Sequence, residues 1–209
     1  MESGALKSRR HAEPCLRLFF FFFISGTILT AVAISGCSAR NFSALRPGIE
    51  TRGHYIENVP FHRQSESTCG PAALANILAF WGSPATLEEI TAIVYLPKLR
   101  GTLLIDMENF ARNAGFESTY SVGTLEDLKS YVRKGTPVIC LLDLGFGLYH
   151  RPHYITVIGF DDVNAMIIEH DGVRANSVMG YDAFTKAWTR AGRWMLVIRP
   201  KDAGRKHEP

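Results

Sequence analysis

The sequence has few cysteines, no marked excess of charge of either sign and no nucleotide-binding loop. Its 209 residues include 4 cysteines, 23 lysines and arginines, and 20 aspartates and glutamates, which gives a formal net charge of +3. The mean hydropathy of +0.02 is typical of a globular protein and excludes a disordered or fibrous chain. The sequence contains no internal repeat and no Gly-Lys-Ser/Thr segment, so it predicts neither a solenoid nor an ATP site.

The first 36 residues have the pattern of an export signal. Four basic residues precede an apolar run, Leu18 to Ile24, that contains five consecutive phenylalanines. The run weakens to Ile34-Ser35-Gly36-Cys37, which resembles the bacterial lipobox, in which the cysteine is lipidated and begins the mature protein. An uncleaved signal anchor is the alternative, but polar residues interrupt the apolar stretch too early for a stable membrane span. Both interpretations predict a domain outside the cytoplasm, in the cell envelope.

Removal of this signal takes away four basic and two acidic side chains, so the formal charge falls from +3 to +1. This charge predicts no nucleic-acid partner, and the lipid on Cys37 would be the link to the membrane. We predict a flexible tether at residues 37–55, one folded domain at residues 56–200 and a polar tail at residues 201–209.

Hydrophobic periodicity predicts helices in the first half of the domain and strands in the second. Apolar residues recur at helical spacing from Ala73 to Trp81, and capping boxes begin further helices at Thr86 and Thr124. Another helix is predicted over residues 103–114. Strands are predicted at residues 116–122, 137–142, 153–160, 165–170 and 194–199, with a short helix at 181–191. This order indicates an α+β domain with an antiparallel sheet.

Cys69 is the candidate nucleophile. Thr68 fits the N-cap position and Pro71 fits the first turn, so a helix is predicted to begin at Cys69. The free N–H groups and the positive dipole end of a helix start stabilise a thiolate over a thiol. The local sequence therefore favours a reactive cysteine.

A thiol nucleophile also needs a base, a group that orients the base, and donors for the oxyanion. His153 begins a predicted strand and can serve as the base. Asp171 ends the neighbouring strand, where its carboxylate can orient the imidazole. Gln64 precedes Cys69 in an extended segment, and its side-chain amide can join the Cys69 N–H as a second oxyanion donor.

Two structural interpretations compete with this one. Cys69 and Cys140 could form a disulfide in an oxidising compartment, although Cys140 lies in an apolar run that predicts a buried strand. A metal interpretation would use four side chains: His150, His153, His170 and Asp171. Their spacing is not that of ligands on one regular element, and we predict neither a metal nor a cofactor.

The segment VPFHRQSESTCGPAALANIL, residues 59–78, resembles the signature of the double-glycine, bacteriocin-processing cysteine peptidases, which are papain-like cysteine peptidase family 39. Similarity recurs in HYITVIGFDD and covers roughly residues 59–200. The resemblance implies a papain-like fold with Cys69 as nucleophile, His153 as general base, Asp171 as the orienting acid and Gln64 in the oxyanion hole. It also implies a peptide or protein substrate. No transporter domain follows in this sequence, so we expect the stand-alone, lipid-anchored type.

Two departures from the family pattern concern the orienting acid. The segment between His153 and Asp171 is longer than usual, and Gly172 follows where the family often has proline. Asp161 and Asp162 are therefore alternatives to Asp171. They lie in the turn at the far end of the His153 strand, about 20 Å or more away at the usual rise per residue, and this distance favours Asp171.

Three functions are consistent with these residues. The first is a thiol peptidase that cleaves after small residues, including a double-glycine leader, through a thioester. The second is an acyltransferase or amidase on the same fold, because an amine can also resolve a thioester. The third is a peptide-binding module without catalysis, which the complete set of Gln64, Cys69, His153 and Asp171 argues against.

Overall fold

The computed structural model describes residues 41–64 and 67–201. These residues form six α-helices, one 3-10 helix and seven strands. In chain order the elements are α1 Phe42–Leu45, the 3-10 helix Ile49–Thr51, β1 Gly53–Tyr55, α2 Cys69–Phe80, α3 Leu87–Val94, α4 Leu104–Asn113, β2 Phe116–Val122, α5 Leu125–Arg133, β3 Val138–Asp143, β4 Pro152–Asp161, β5 Met166–His170, β6 Ser177–Gly180, α6 Tyr181–Arg190 and β7 Trp194–Pro200.

The strands form one antiparallel sheet in the order β2-β7-β3-β4-β5-β6, and β1 pairs with the far end of β4. The α+β class predicted from the sequence is confirmed, and the predicted strands at residues 153–160 and 165–170 are the antiparallel neighbours β4 and β5. The central strand β4 is paired along both sides, because β5 lies on one side and β3 and β1 lie one after the other on the opposite side.

The sheet separates two hydrophobic clusters. On one face, α2, α3 and α4 pack with side chains such as Leu74 and Tyr154. On the other face, α5 and α6 pack with Trp188 and Ile155. Tyr154 and Ile155 are consecutive on β4, so the two-residue repeat of a strand sends neighbouring side chains into opposite clusters. Full burial of each large apolar side chain stabilises the fold by about 1.5–3 kcal/mol.

Helix α2 is buried on nearly all sides, which holds its first residue in a fixed place. Every residue from Gly70 to Leu78 is buried. The helices α3 and α5 begin as the sequence predicts, because Thr86 and Thr124 both form complete capping boxes. These local signals therefore set the helix starts.

The predicted tether at residues 37–55 is wrong for its described part, residues 41–55. This segment forms α1, the 3-10 helix and β1, and Ile49 is fully buried in the second cluster. Arg52 fixes it further, since its side chain bonds the Leu45 carbonyl at 2.9 Å and the Asp161 carboxylate at 3.1 Å. Short elements with few apolar residues gave no periodic signal, and their burial comes from tertiary contacts.

The predicted signal at residues 1–36, Cys37 and most of the predicted tail lie outside the described residues. Within residues 41–64 and 67–201, no helix is both long and apolar enough to cross a membrane.

Candidate active site

A cleft of about 920 Å³ opens where the N-terminus of α2 meets the first residues of β4. Gln64, Cys69 and His153 all line it. The structure therefore brings three of the four candidate residues to one cavity. The fourth candidate, Asp171, is not in the lining of the cavity but bonds the His153 ring.

Cys69 is the first residue of α2, with Thr68 at the N-cap. The thiol is free and half-buried. Gly70 lies so close to the segment before α4 that a Cβ there would be 2.8 Å from the Thr102 Cβ. This contact holds the helix start against one wall of the cleft, where the first-turn N–H groups have no partner within the helix. A negative charge on the thiol or on a nearby oxygen is stabilised at such a place.

His153 is the second residue of β4 and lies opposite Leu142 of β3. Its Nε2 is 2.9 Å from the main-chain carbonyl oxygen of Asp171. A carbonyl only accepts, so Nε2 carries the proton and Nδ1 has the free lone pair. Burial lowers the pKa of His153, while the Asp171 carbonyl and carboxylate raise it and the Arg151 charge lowers it. The imidazole is thus held in the tautomer that can accept a proton at Nδ1.

The sequence predicted that the Asp171 carboxylate orients the imidazole of His153, but in the structure this carboxylate bonds other groups. Its Oδ1 accepts from the backbone N–H groups of Val173 and Arg174 at 2.8 and 2.6 Å, and its Oδ2 contacts the Arg174 guanidinium at 3.1 Å. The orienting contact to His153 comes from the backbone of the same residue. The carboxylate acts at longer range, where its charge raises the pKa of His153.

Gln64 reaches the cleft from the extended segment before α2. Its backbone N–H donates to the Gly172 carbonyl at 2.9 Å, and its Oε1 is buried without a hydrogen-bond partner. The amide also carries an NH₂ group, and Gln64 lines the cleft. Such a group can donate to an oxyanion.

The alternatives to Asp171 have other partners. Asp161 bonds Arg52 and Asn164, and Asp162 bonds Lys129 and Tyr181. Both lie at the end of β4 that is farthest from His153.

The disulfide interpretation is wrong, because Cys69 and Cys140 are both free. Cys140 is fully buried in β3, as predicted. The metal interpretation would need its histidines to converge, but His150 bonds Asp143 and His170 bonds Val59. In the part of the chain that the structure describes, no three His, Cys, Asp or Glu side chains form a metal-binding group.

Two residues that support the site were not predicted. Asn76, two turns into α2, accepts from the His62 backbone N–H at 2.7 Å and donates to Thr156 of β4 at 3.2 Å, so it ties the Gln64 segment to helix and sheet. Gly172 has a φ of +81° and packs against Gln64. A polar residue inside an otherwise buried helix and an Asp-Gly pair after a strand are the sequence signals for these roles.

The fold and the cleft define a cysteine-peptidase domain of the papain-like kind. A family model for the Peptidase_C39 like family matches residues 56–195, and the chain belongs to this family. None of the curated proteins compared with the sequence matches it.

Solved structures of peptidase domains have the same fold. The peptidase domain of Streptococcus ComA, a bifunctional ABC transporter involved in a quorum-sensing pathway, is 23% identical with a TM-score of 0.56, over 68% of this chain and 97% of that domain. A double-glycine motif protease from an AMS/PCAT transporter, solved with its leader peptide, is 21% identical with a TM-score of 0.58, over 71% and 95%. A protein of Bacillus anthracis described as C39-like is 15% identical with a TM-score of 0.59, over 71% and 98%.

Proposed function

We propose that the protein is a cysteine peptidase that cleaves a peptide bond through a thioester on Cys69. The observation that carries the proposal is the single cleft lined by a thiol at a helix start, an imidazole with a free Nδ1 and a side-chain amide. These are the nucleophile, base and oxyanion donor that acyl transfer to a thiol requires.

In the first half of the reaction, Cys69 gives its proton to Nδ1 of His153 and the thiolate attacks the carbonyl carbon of the substrate. The oxyanion accepts hydrogen bonds from the Cys69 N–H and the Gln64 amide. When the C–N bond breaks, the leaving amine takes the proton from His153, and the acyl group stays on sulfur as a thioester.

In the second half, His153 takes a proton from a water molecule, and the resulting hydroxide attacks the thioester. The C–S bond breaks, the carboxylic acid product leaves, and the thiolate takes back the proton from His153. The carbonyl of Asp171 keeps Nε2 protonated throughout, so that Nδ1 is the only ring atom that exchanges protons.

We propose a peptide substrate that is cut after small residues, including a double-glycine leader. The solved relative described as a double-glycine motif protease supports this proposal, since it contains a leader peptide. We also propose that Cys37 carries lipid and holds the domain in the cell envelope, on the basis of the Ile34-Ser35-Gly36-Cys37 sequence.

Alkylation of the full chain by iodoacetamide tests the nucleophile, with the modification of each cysteine followed by peptide mass spectrometry. Cys69 should react at pH 6 at least about tenfold faster than a free thiol, and His153→Ala should abolish this advantage. A Cys69 that reacts like a free thiol at every pH contradicts the proposal.

A library of peptides with and without Gly-Gly then tests the reaction, with Cys69→Ala as the blank. Hydrolysis products that need Cys69 support a peptidase. Products that form only when an amine is added would identify an acyltransferase instead.

A further inference from the structure

A second histidine, His170, lies behind the cleft and bonds at both ring nitrogens. It is the last residue of β5 and only 3% exposed. Its Nε2 is 3.0 Å from the Val59 carbonyl oxygen, and its Nδ1 is 3.2 Å from the Asn176 backbone N–H. Since a carbonyl accepts and an N–H donates, these partners require a neutral ring with the proton on Nε2. The Phe61 ring packs edge-on at 5.3 Å between centroids.

Each of the two bonds leads to a part of the candidate active site. Val59 lies five residues before Gln64 in the extended segment that enters the cleft. Asn176 ends the loop that begins at Asp171, whose carbonyl bonds His153 Nε2. The same loop contains Gly172, whose carbonyl bonds the Gln64 N–H. His170 therefore lies between the segment that holds the oxyanion donor and the loop that holds the base.

We propose that His170 is a positioning residue for the proposed peptidase reaction: its neutral, Nε2-protonated ring clamps the Val59–Gln64 segment to the Asp171–Asn176 loop and so fixes Gln64 and His153 relative to each other. The inference rests on the proposed function, since it assumes that Gln64 and His153 act in that reaction. It assigns His170 no contact with the substrate. Displacement of a reacting group by about 1 Å can cost about 100-fold in rate.

The surroundings of the ring keep it neutral. Burial lowers the pKa of His170, and the Val59 carbonyl, the Glu169 backbone and the Asp171 charge raise it. Other titratable groups lie in this loop or contact it: the Arg174 guanidinium bonds the Asp171 carboxylate at 3.1 Å, and the Tyr55 hydroxyl of β1 donates to the Asn176 side chain at 3.1 Å. A second proton on the ring would have to go to Nδ1, where it would meet the Asn176 N–H. That proton would break the bond that closes the loop.

Three substitutions separate the two bonds. His170→Phe keeps a ring of similar shape and removes both bonds. His170→Gln offers an amide nitrogen near the Nε2 position for Val59, and His170→Asn offers an oxygen near the Nδ1 position for Asn176. His54→Gln is the matched control, because His54 is a part-exposed histidine on β1 outside the cleft.

We expect His170→Phe to lower kcat about 100-fold with KM changed less than about threefold, and to reduce the alkylation rate of Cys69 at pH 6. His170→Gln and His170→Asn should each recover part of kcat, and His54→Gln should equal the wild type. A folded His170→Phe protein with kcat within about twofold of the wild type overturns the inference.

NMR of the wild-type protein keeps the inference testable even if the variants do not fold. The ring nitrogens of His170 should report the Nε2-protonated tautomer from pH 6 to pH 8, and any other tautomer or a charged ring at pH 7 overturns the proposal. Failure of the proposed function looks different: wild-type Cys69 would then react as a free thiol whatever residue stands at position 170.

Discussion

Gln64 and Gly172 contact each other through both backbone and side chain. The Gln64 N–H donates to the Gly172 carbonyl at 2.9 Å, and a Cβ at Gly172 would lie 2.5 Å from the Gln64 Cδ. Glycine is thus needed at position 172 for two reasons. It leaves room for the Gln64 side chain, and it adopts a φ of +81°, which favours glycine. This relationship links the loop after β5 to the proposed oxyanion donor.

Gly172→Ala should therefore lower kcat by about 100-fold, because the new methyl group pushes the Gln64 side chain away from the oxyanion. KM for a cleaved peptide should change little, since the ground-state contacts of the substrate are untouched. Steady-state kinetics on the purified variant measure both constants.

Gly82→Ala is the matched control. Gly82 has nearly the same φ, +80°, and a Cβ there would meet no atom within 4 Å. Both variants carry the same backbone strain, about 1–2 kcal/mol, and only Gly172→Ala also displaces a neighbouring side chain. If Gly82→Ala reduced kcat as much as Gly172→Ala does, the effect would come from strain and not from Gln64.

Asp171→Asn should have only a small effect on the rate. Loss of the carboxylate in a triad where it bonds the imidazole costs about 10⁴ in kcat. Here the ring bonds the main-chain carbonyl, so we expect a loss below about tenfold and a lower pKa of His153, since the raising charge is gone. Kinetics and an NMR titration of His153 measure the two effects. A loss above 1,000-fold, on the order of the triad value, would show that the carboxylate bonds the ring during turnover.

Arg151→Gln should raise the pKa of His153. The positive charge of Arg151 disfavours the imidazolium, and it lies two residues before His153 at the edge of the cleft. An NMR titration of His153 should therefore move to higher pH. Arg100→Gln is the control, because Arg100 lines the same cleft and is not among the charges that shift His153. An equal shift in both variants would mean that the pKa of His153 depends on the net charge of the cleft and not on the position of Arg151.

Glu169→Gln should change how stability depends on pH. Glu169 is buried in β5 with Oε2 unpartnered, and burial, aided by the Asp171 charge, raises its pKa to about 8. The folded state keeps this proton while the unfolded state loses it near its usual pKa. The contribution of the Glu169 carboxyl to the free energy of unfolding is therefore fully present below its usual pKa. As the pH rises from there toward 8, this contribution falls by about 1.4 kcal/mol per pH unit.

Urea unfolding at pH 5.5, 7 and 8.5 measures this slope. The wild type should lose stability across the series relative to Glu169→Gln. Glu117→Gln, at an exposed position on β2, should keep the wild-type slope. Parallel curves for the wild type and Glu169→Gln would mean that the carboxyl finds a partner when it ionises.

The sequence predicted the elements whose signals are local. The starts of α3 and α5 follow from the capping boxes of Thr86 and Thr124, and α2 begins at Cys69 with Pro71 in its first turn, as predicted. It did not predict β1, because three residues carry too little periodicity and their pairing partner is more than 100 residues away in the sequence.

The contact between Asp171 and His153 shows a different limit. The sequence indicated that Asp171 contacts His153, but the Asp171 carboxylate can bond either the imidazole or the backbone N–H groups two and three residues ahead. An aspartate before glycine in a turn satisfies its own backbone first, and the bonds to Val173 and Arg174 do this. The sequence alone does not determine which of these two hydrogen-bond partners the carboxylate takes.

The burial of Cys140 has a practical consequence. Of the two thiols in the described domain, Cys140 is inaccessible in β3 and burial raises its pKa well above the usual range, whereas Cys69 is half-exposed. A labelling reagent should therefore modify Cys69 in native protein and reach Cys140 only when the sheet opens. In one mass spectrum of a labelled sample, the label on Cys69 would report the fraction of accessible active-site thiols. The label on Cys140 would report the fraction of molecules whose sheet has opened, and no engineered probe is needed.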